Sequence, residues 1–293
     1  MRSSLLPKLF IALWFPLSSA AMLLQSPFAD HPAVAYSAGT PEDPVGRLGQ
    51  QLAKGEERLE FEPEHGYLVS VLRKLKIPVT SQSLVFSKTS LQAERISPLR
   101  PRALYFNDDV YVGWIPDAPL MEFASVDPKL RTIFYTLDQE QSGTPRLQRR
   151  TTDCVLCHDG ASTGGVPGLM VRSVYPDNEG NAILRAGTFF TTDHSPWRER
   201  WGGWYVTGTH GDQPHMGNLL APNHVSALGT SAETYVSQIN LSLGSKHQGC
   251  PRQFRKFTLP QSPQRYCRAA CTHSSATSCT RKRSTRSLNR YEI

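Results

Sequence analysis

The sequence predicts an α+β fold with a strand-rich body and only short helices. One segment, 64–77, has apolar residues at helical spacing, whereas several other apolar runs are short and flanked by turn residues. The 22 prolines and 21 glycines among 293 residues favour many turns over long helices. A hydrophobic fraction of 39% with 9% aromatic residues excludes collagen, a coiled coil, a polytopic membrane protein and wholesale disorder.

Residues 1–35 have the pattern of a secretory signal. A positively charged start ends at Lys8, and an apolar run over 9–24 follows it, interrupted by Pro16. A transmembrane helix needs about 20 apolar residues, so this run is short for a membrane span. Small residues offer cleavage sites at 19–21 and 33–35. The alternative is an uncleaved membrane anchor, and both interpretations place the body outside the plasma membrane, in the periplasm of a bacterium.

The elements of the body follow in order along the chain. The segment 36–60 is rich in Pro and Gly without apolar periodicity, which predicts a linker before a body over 61–243. The helix over 64–77 ends at Pro78. Short β-prone runs then predict a strand at 83–87, a hairpin at 103–115 and a strand pair at 122–126 with 131–137. A second strand pair is predicted at 169–175 with 182–190, on either side of a Pro-Asp-Asn-Glu-Gly turn.

The tail, 244–293, differs from the body in charge and composition. It holds eleven basic residues and one acidic residue, whereas the preceding chain holds 21 basic and 24 acidic residues. The charge of the body therefore gives no support for nucleic-acid binding. Three interpretations of the tail stay open: a disordered basic extension that contacts a membrane surface or an acidic partner, two disulfides among Cys250, Cys267, Cys271 and Cys279, or a slip of the reading frame near Leu243.

The central motif is Cys154-Val-Leu-Cys157-His158, which matches the C-x-x-C-H attachment sequence for c-type haem. Positions three and four apart share one face of a helical turn, so both thiols and the imidazole can face one macrocycle. The thiols of Cys154 and Cys157 are expected to form thioethers with the haem vinyl groups, and His158 is expected to be the proximal iron ligand.

Other uses of the two cysteines are less well supported. A zinc ribbon needs a second Cys pair, and the nearest candidate, Cys267 with Cys271, lies in the tail. A thioredoxin-like site needs a preceding strand in a βαβ unit, which 151–153 does not provide. A disulfide within one turn leaves His158 unexplained.

With this motif and three further runs, the sequence resembles large exported bacterial proteins that carry a cytochrome c domain. The runs are ALYFNDDVYVGW at 103–114, VRSVYPD at 171–177 and ERWGGWYVTGTHG at 199–211. The resemblance implies one covalently attached haem c and a role in electron transfer. Small soluble cytochromes c are compact all-α domains with the motif near the start, whereas here the motif lies mid-chain among predicted strands.

The sixth iron ligand of an electron carrier is usually Met or His. Met216 is the first candidate, because it lies in a polar loop with little apparent core to fill, 58 residues after His158. His210 or His215 comes next, and an open position comes last. Met170 is expected to pack in a strand. The segment 197–205 contributes three Trp and two Arg, which suit either a haem wall or ordinary core.

The sequence thus predicts an exported electron-transfer protein with one haem. Its expected partner is a redox protein or a quinone-linked component of an electron-transfer chain. The alternatives are a peroxidase-like haem oxidoreductase and a haem-based sensor, both of which would use the His-rich loop on the distal side.

Overall fold

The computed structural model describes residues 30–141, 143–206 and 215–220. Most of the predicted signal, part of the His-rich loop with His210, and the whole tail lie outside these ranges. Within the described ranges, no helix is long and apolar enough to span a bilayer.

The centre of the fold is a seven-stranded antiparallel sheet with the strand order β6-β5-β4-β3-β2-β1-β9. Two further strands, β7 and β8, form an antiparallel pair of their own. The strands in chain order are β1 Ser83–Val85, β2 Arg102–Phe106, β3 Val110–Trp114, β4 Leu120–Asp127, β5 Arg131–Asp138, β6 Leu147–Arg150, β7 Val171–Val174, β8 Thr188–Thr191 and β9 Trp204–Tyr205. The prediction of a strand-rich body is confirmed.

Three α-helices accompany the sheet in the described residues: α1 Pro44–Lys54, α2 Leu68–Lys74 and α3 Val155–His158. Helix α2 is shorter than the predicted 64–77. Its start is delayed because Gly66 adopts a positive φ of 60° and pairs with Glu62 in an isolated bridge, which keeps the chain in a turn up to Tyr67.

Helix α1 occupies the segment that the sequence analysis assigned to a linker, 36–60, and that expectation is corrected. The Asp43 carboxylate accepts hydrogen bonds from Val45 N and Gly46 N and so caps the helix, and Gly55 ends it in the left-handed conformation. Val45, Leu48 and Leu52 bury one face of the helix. The Pro and Gly residues here mark helix boundaries rather than a flexible connection.

The main core lies between α1, α2 and the first face of the sheet, which we define by Tyr105, Val112, Phe123, Ile133 and Leu137. Because side chains alternate along a strand, the residues between these point to the opposite, second face. The strand register places Leu104, Gly113, Glu122 and Thr136 side by side on that second face.

A smaller cluster lies beside β7 and β8 and comprises Tyr175, Ala186, Met216 and Leu219. Two glycines connect this region to the main sheet: Gly202 O accepts from Val174 N, and Gly203 O accepts from Phe86 N at 2.8 Å. A Cβ atom at Gly202 would lie 2.2 Å from Val174 O, so the close approach requires glycine there.

Asp127 is buried at the turn between β4 and β5 and ties that turn to the chain before α1. Its carboxylate accepts hydrogen bonds from the backbone N–H groups of Glu42, Lys129 and Leu130 at 2.6, 2.8 and 2.8 Å. Burial alone would raise the pKa of Asp127, but these three donors hold it below its usual value.

The substitution Asp127→Asn should lower the free energy of unfolding by about 1–3 kcal/mol at pH 7, since it weakens three hydrogen bonds to a buried charged group. A carboxyl whose folded pKa is depressed stabilises the fold above its unfolded pKa, about 3.9, and that contribution disappears as pH falls through the lower folded pKa. Urea unfolding at pH 7 and in acid measures the difference. Asp138→Asn, at an exposed carboxyl, is the control. A destabilisation by Asp127→Asn that does not shrink in acid would contradict this account.

Candidate functional site

The central motif forms one turn of helix on the second face of the sheet. Leu156 N donates to Thr152 O at 3.0 Å, and both Cys157 N and His158 N donate to Cys154 O, at 3.2 and 3.1 Å. This turn brings Cys154, Cys157 and His158 together, as the spacing predicted. Val155 is buried, and together with Phe134 it extends the main core to this face of the sheet, which anchors the turn.

His158 is held in one orientation by two groups. Its imidazole packs against the ring of Phe134 in β5, with 4.6 Å between the ring centroids. Its Nδ1 lies 3.0 Å from Gly168 O, and Gly168 N donates in return to His158 O at 3.0 Å. A carbonyl can only accept, so Nδ1 carries the proton and Nε2 keeps its lone pair.

The charge state of His158 also suits metal binding. Burial lowers the pKa of the imidazole, and the hydrogen bond to Gly168 O opposes that effect only in part. The lowered pKa favours the neutral imidazole, which is the form that binds a metal ion.

The two cysteines are free thiols in different surroundings. Cys154 is half-buried against the main core, whereas Cys157 is exposed. Burial raises the pKa of the Cys154 thiol to about 11, and the nearby carboxylates of Glu122 and Asp153 add to the effect. Dithiol redox sites depend on a cysteine with a lowered pKa, so the surroundings of Cys154 do not fit a thioredoxin-like site.

Polar residues of β2, β4 and β6 surround the turn on the second face. Arg102 in β2 forms an ion pair with Glu122 in β4, with 2.7 Å between Nη1 and Oε2. Arg150 in β6 donates from Nε to Thr136 Oγ1 at 2.9 Å and lies 3.7 Å from Asp153 Oδ2. Together with the contact between His158 and Phe134, the contact between Arg150 and Asp153 places the motif against the sheet.

Apolar side chains are exposed on and near the turn. Leu156 lies within α3 and is 58% exposed, and Leu169 and Val171, which follow Gly168, are 39% and 38% exposed. Phe190, in the strand that pairs with β7, is 42% exposed. A planar apolar group attached to the turn would have apolar side chains within the same region to contact.

Met216 does not lie in the surroundings that the sequence analysis expected. It is 2% exposed and packs in the smaller cluster, so the premise that this loop has little core to fill is wrong. Its sulfur accepts a hydrogen bond from Ser173 Oγ at 3.5 Å, and its backbone N donates to Arg200 O at 2.9 Å. In the described part of the chain these contacts lie with β7 and its neighbours, not with α3.

The other candidates for the sixth ligand are placed as follows. His215 is half-buried, and its Nδ1 accepts from Gly217 N at 2.9 Å, while His210 lies outside the described residues. Met170, expected to pack in a strand, is half-buried just before β7, and Ser162 Oγ lies 3.9 Å from its sulfur. None of these contacts assigns a sixth ligand.

The Trp- and Arg-rich segment 197–205 is mainly a structured loop beside β9. Arg200 donates to the backbone carbonyls of Thr192, Asp193 and Ser195 and lies over the ring of Trp197, 5.2 Å from its centroid. Trp204 Nε1 donates to Arg172 O at 3.0 Å. Arg200 therefore holds its own loop together, and Trp197 remains 52% exposed.

Sequence reasoning missed Gly168, Phe134, Arg102 and Glu122. Alternation along β2 and β4 could have placed Arg102 and Glu122 on one face, but the register that makes them neighbours across β3 depends on the whole sheet. The hydrogen bond between His158 and Gly168 spans a turn that no sequence motif marks, so nothing in the sequence indicates it.

Comparison with known proteins gave no assignment: family models, curated proteins and solved structures were each searched, and none matches this chain.

The two thiols should differ in reactivity in the haem-free protein. Iodoacetamide reacts with the thiolate, so exposed Cys157 should be alkylated well before half-buried Cys154 at pH 8. The rate at Cys154 should rise as pH approaches its raised pKa of about 11. Mass spectrometry of the peptide that carries both residues measures the two rates, with urea-unfolded protein as the control. Equal rates in the folded protein at pH 8 would contradict the described burial of Cys154.

Proposed function

We propose that this protein is an exported c-type cytochrome-like electron-transfer protein with one covalently attached haem. Cys154 and Cys157 would hold the haem as thioethers, and His158 would bind its iron through Nε2. The observation that carries the proposal is the geometry at His158: its Nδ1 is bonded to Gly168 O, and it lies on the same turn as two free thiols.

The residues of the site fit such a group in three respects. In this tautomer of His158, Nε2 can bind a metal ion while Nδ1 donates to the backbone carbonyl of Gly168, as in other histidine–metal sites. The thiols are free rather than paired in a disulfide. Leu156, Leu169 and Val171 offer exposed apolar surface for a macrocycle.

When bound, haem supplies a one-electron couple between ferric and ferrous iron. The chain's own residues would hold the haem and orient the imidazole of His158. Phe134 and Gly168 fix the ring of His158, and the buried side chain of Val155 fixes the turn that carries both thiols. A rigid surrounding suits electron transfer, because little of the protein has to rearrange when the charge changes.

The cellular setting is part of the same proposal. C-type haem is attached outside the plasma membrane, and the signal-like start of the chain, 1–35, would bring the protein there. A redox protein or a quinone-linked component of an electron-transfer chain would exchange electrons with the haem.

One observation favours a second candidate function. The Met216 sulfur is occupied by the Ser173 hydroxyl and lies among residues of the smaller cluster. If that arrangement persists with haem bound, the sixth position is open or is filled by a histidine. An open position would suit a peroxidase-like oxidoreductase or a haem-based sensor.

Replacement of both Cys154 and Cys157 by Ala should abolish covalent haem in secreted protein, and each single replacement should leave one thioether. Haem staining on a denaturing gel, with the intact mass, measures attachment. Cys267→Ala, at a cysteine of the tail, is the matched control and should leave staining unchanged. Staining retained by the double variant would remove the basis of the proposal.

The sixth ligand is tested by Met216→Ala, with Met170→Ala as the control. If the protein is an electron carrier with Met216 on the iron, the wild type is low-spin and indifferent to carbon monoxide, and Met216→Ala becomes high-spin and binds it. An unchanged low-spin spectrum would transfer the role to His210 or His215. Binding of carbon monoxide by the wild type would favour the oxidoreductase or the sensor.

A further inference from the structure

A buried ion pair lies on the second face of the sheet, beneath the central motif. Arg102 Nη1 and Glu122 Oε2 are 2.7 Å apart, and their side chains are only 17% and 15% exposed. Among the ion pairs of the described residues, this is the one in which both side chains are most deeply buried.

The sheet builds this pair across an intervening strand. Arg102 belongs to β2 and Glu122 to β4, and Gly113 of β3 lies between them in register with Glu122. A Cβ atom at Gly113 would lie 3.4 Å from Arg102 Cδ and 3.6 Å from Glu122 Cβ, so both side chains pass close to this position on their way to each other.

Gln92 completes the arrangement from outside the sheet. Its Nε2 donates to Glu122 Oε1 at 3.0 Å and to Leu120 O at 2.9 Å, and its Oε1 accepts from Leu120 N. Both carboxylate oxygens of Glu122 are thus hydrogen-bonded, which fixes the position of its charge.

Stability alone does not account for a buried pair of this kind. Removal of two charges from water costs several kcal/mol per ion, and an apolar pair of similar volume is often equally stable or more so. Arg102 Nε is in addition buried without a hydrogen-bond partner among the described residues. The burial of the pair therefore indicates a role for its charges other than stabilisation of the fold.

The charges of the pair reach the motif. Glu122 and Phe134 lie on the same face of neighbouring strands, and the Phe134 ring packs against His158. Glu122 also lies directly opposite Thr136, whose Oγ1 accepts a hydrogen bond from Arg150 Nε at 2.9 Å. Arg150 in turn lies 3.7 Å from Asp153, the residue before Cys154.

We infer that Arg102 and Glu122 shift the redox potential of the haem held by Cys154, Cys157 and His158 in opposite directions, and that their pairing balances the two effects. This inference rests on the proposed function. A fixed positive charge near the iron favours the reduced, less positive state, and a fixed negative charge favours the oxidised state. Both partners are shielded from solvent ions, so salt screens their effect little. Each residue acts through its fixed charge and not as an iron ligand.

The test is the ratio of reduced to oxidised protein at one fixed ambient potential, read from the absorption spectrum at pH 8. Glu122→Gln removes the negative charge and leaves Arg102, which stays protonated, so the ratio should rise severalfold. Arg102→Gln leaves the carboxylate and should lower the ratio severalfold. The double variant, with neither charge, should return close to the wild type.

Glu60 and Arg73 provide a matched control. This ion pair has the same N–O distance of 2.7 Å, but its side chains are 72% and 58% exposed, and Arg73 lies on α2 at the first face. Glu60→Gln and Arg73→Gln should leave the ratio unchanged, because water screens their charges.

The inference is supported if the two single variants change the ratio of reduced to oxidised protein in opposite directions. A purely structural disturbance would not reverse the direction of this change according to which charge is removed. Shifts in the same direction, or none, would overturn it. Glu122→Gln keeps the shape and an acceptor oxygen, so its predicted sign decides the matter even if Arg102→Gln is not recovered folded. If the secreted wild-type protein carries no haem, the proposed function is overturned as well. If the wild type carries haem but the variants have the same ratio of reduced to oxidised protein as the wild type, this inference alone is overturned.

Discussion

The hydrogen bonds between His158 and Gly168 are the interaction on which the site depends. The bond from Nδ1 to the Gly168 carbonyl fixes both the tautomer and the direction of the imidazole, and the return bond from Gly168 N fixes the backbone of the turn. Without them, the ring could rotate about two side-chain torsions, and either nitrogen could carry the proton. Both bonds lie within one short segment, and Phe134 of β5 adds the contact that joins this segment to the sheet.

The sheet gives this local arrangement a fixed base and two different faces. Its first face packs against α1 and α2 in an apolar core, and its second face carries the motif with Phe134 and the Arg102–Glu122 pair. Strand alternation separates the two roles, because neighbouring residues of β4, such as Phe123 and Glu122, point to opposite sides.

Much of the fold was predictable from local sequence, because hairpin turns and alternation are local signals. The turn at 107–109 separates two strands as expected. The Pro-Asp-Asn-Glu-Gly turn does follow β7, but the strand predicted over 182–190 is limited to β8, Thr188–Thr191, because Leu184–Ala186 form a short 3-10 helix. Helix α1 was missed because Pro44 and Gly55, which mark its ends, were counted as signs of a linker. The motif predicted which residues come together on α3, but the partners of His158 depend on tertiary contacts. The placement of Met216 was misjudged for the same reason, since its cluster is assembled from segments far apart in the chain.

The most direct test of the central claim is the mass of one peptide from the secreted, mature protein. Trypsin should release 151–172, which contains both cysteines and His158 and no internal Lys or Arg. The account predicts that this peptide, after denaturation and treatment with an alkylating reagent, carries one haem and no alkyl group. A bare peptide with two alkylated thiols would contradict it.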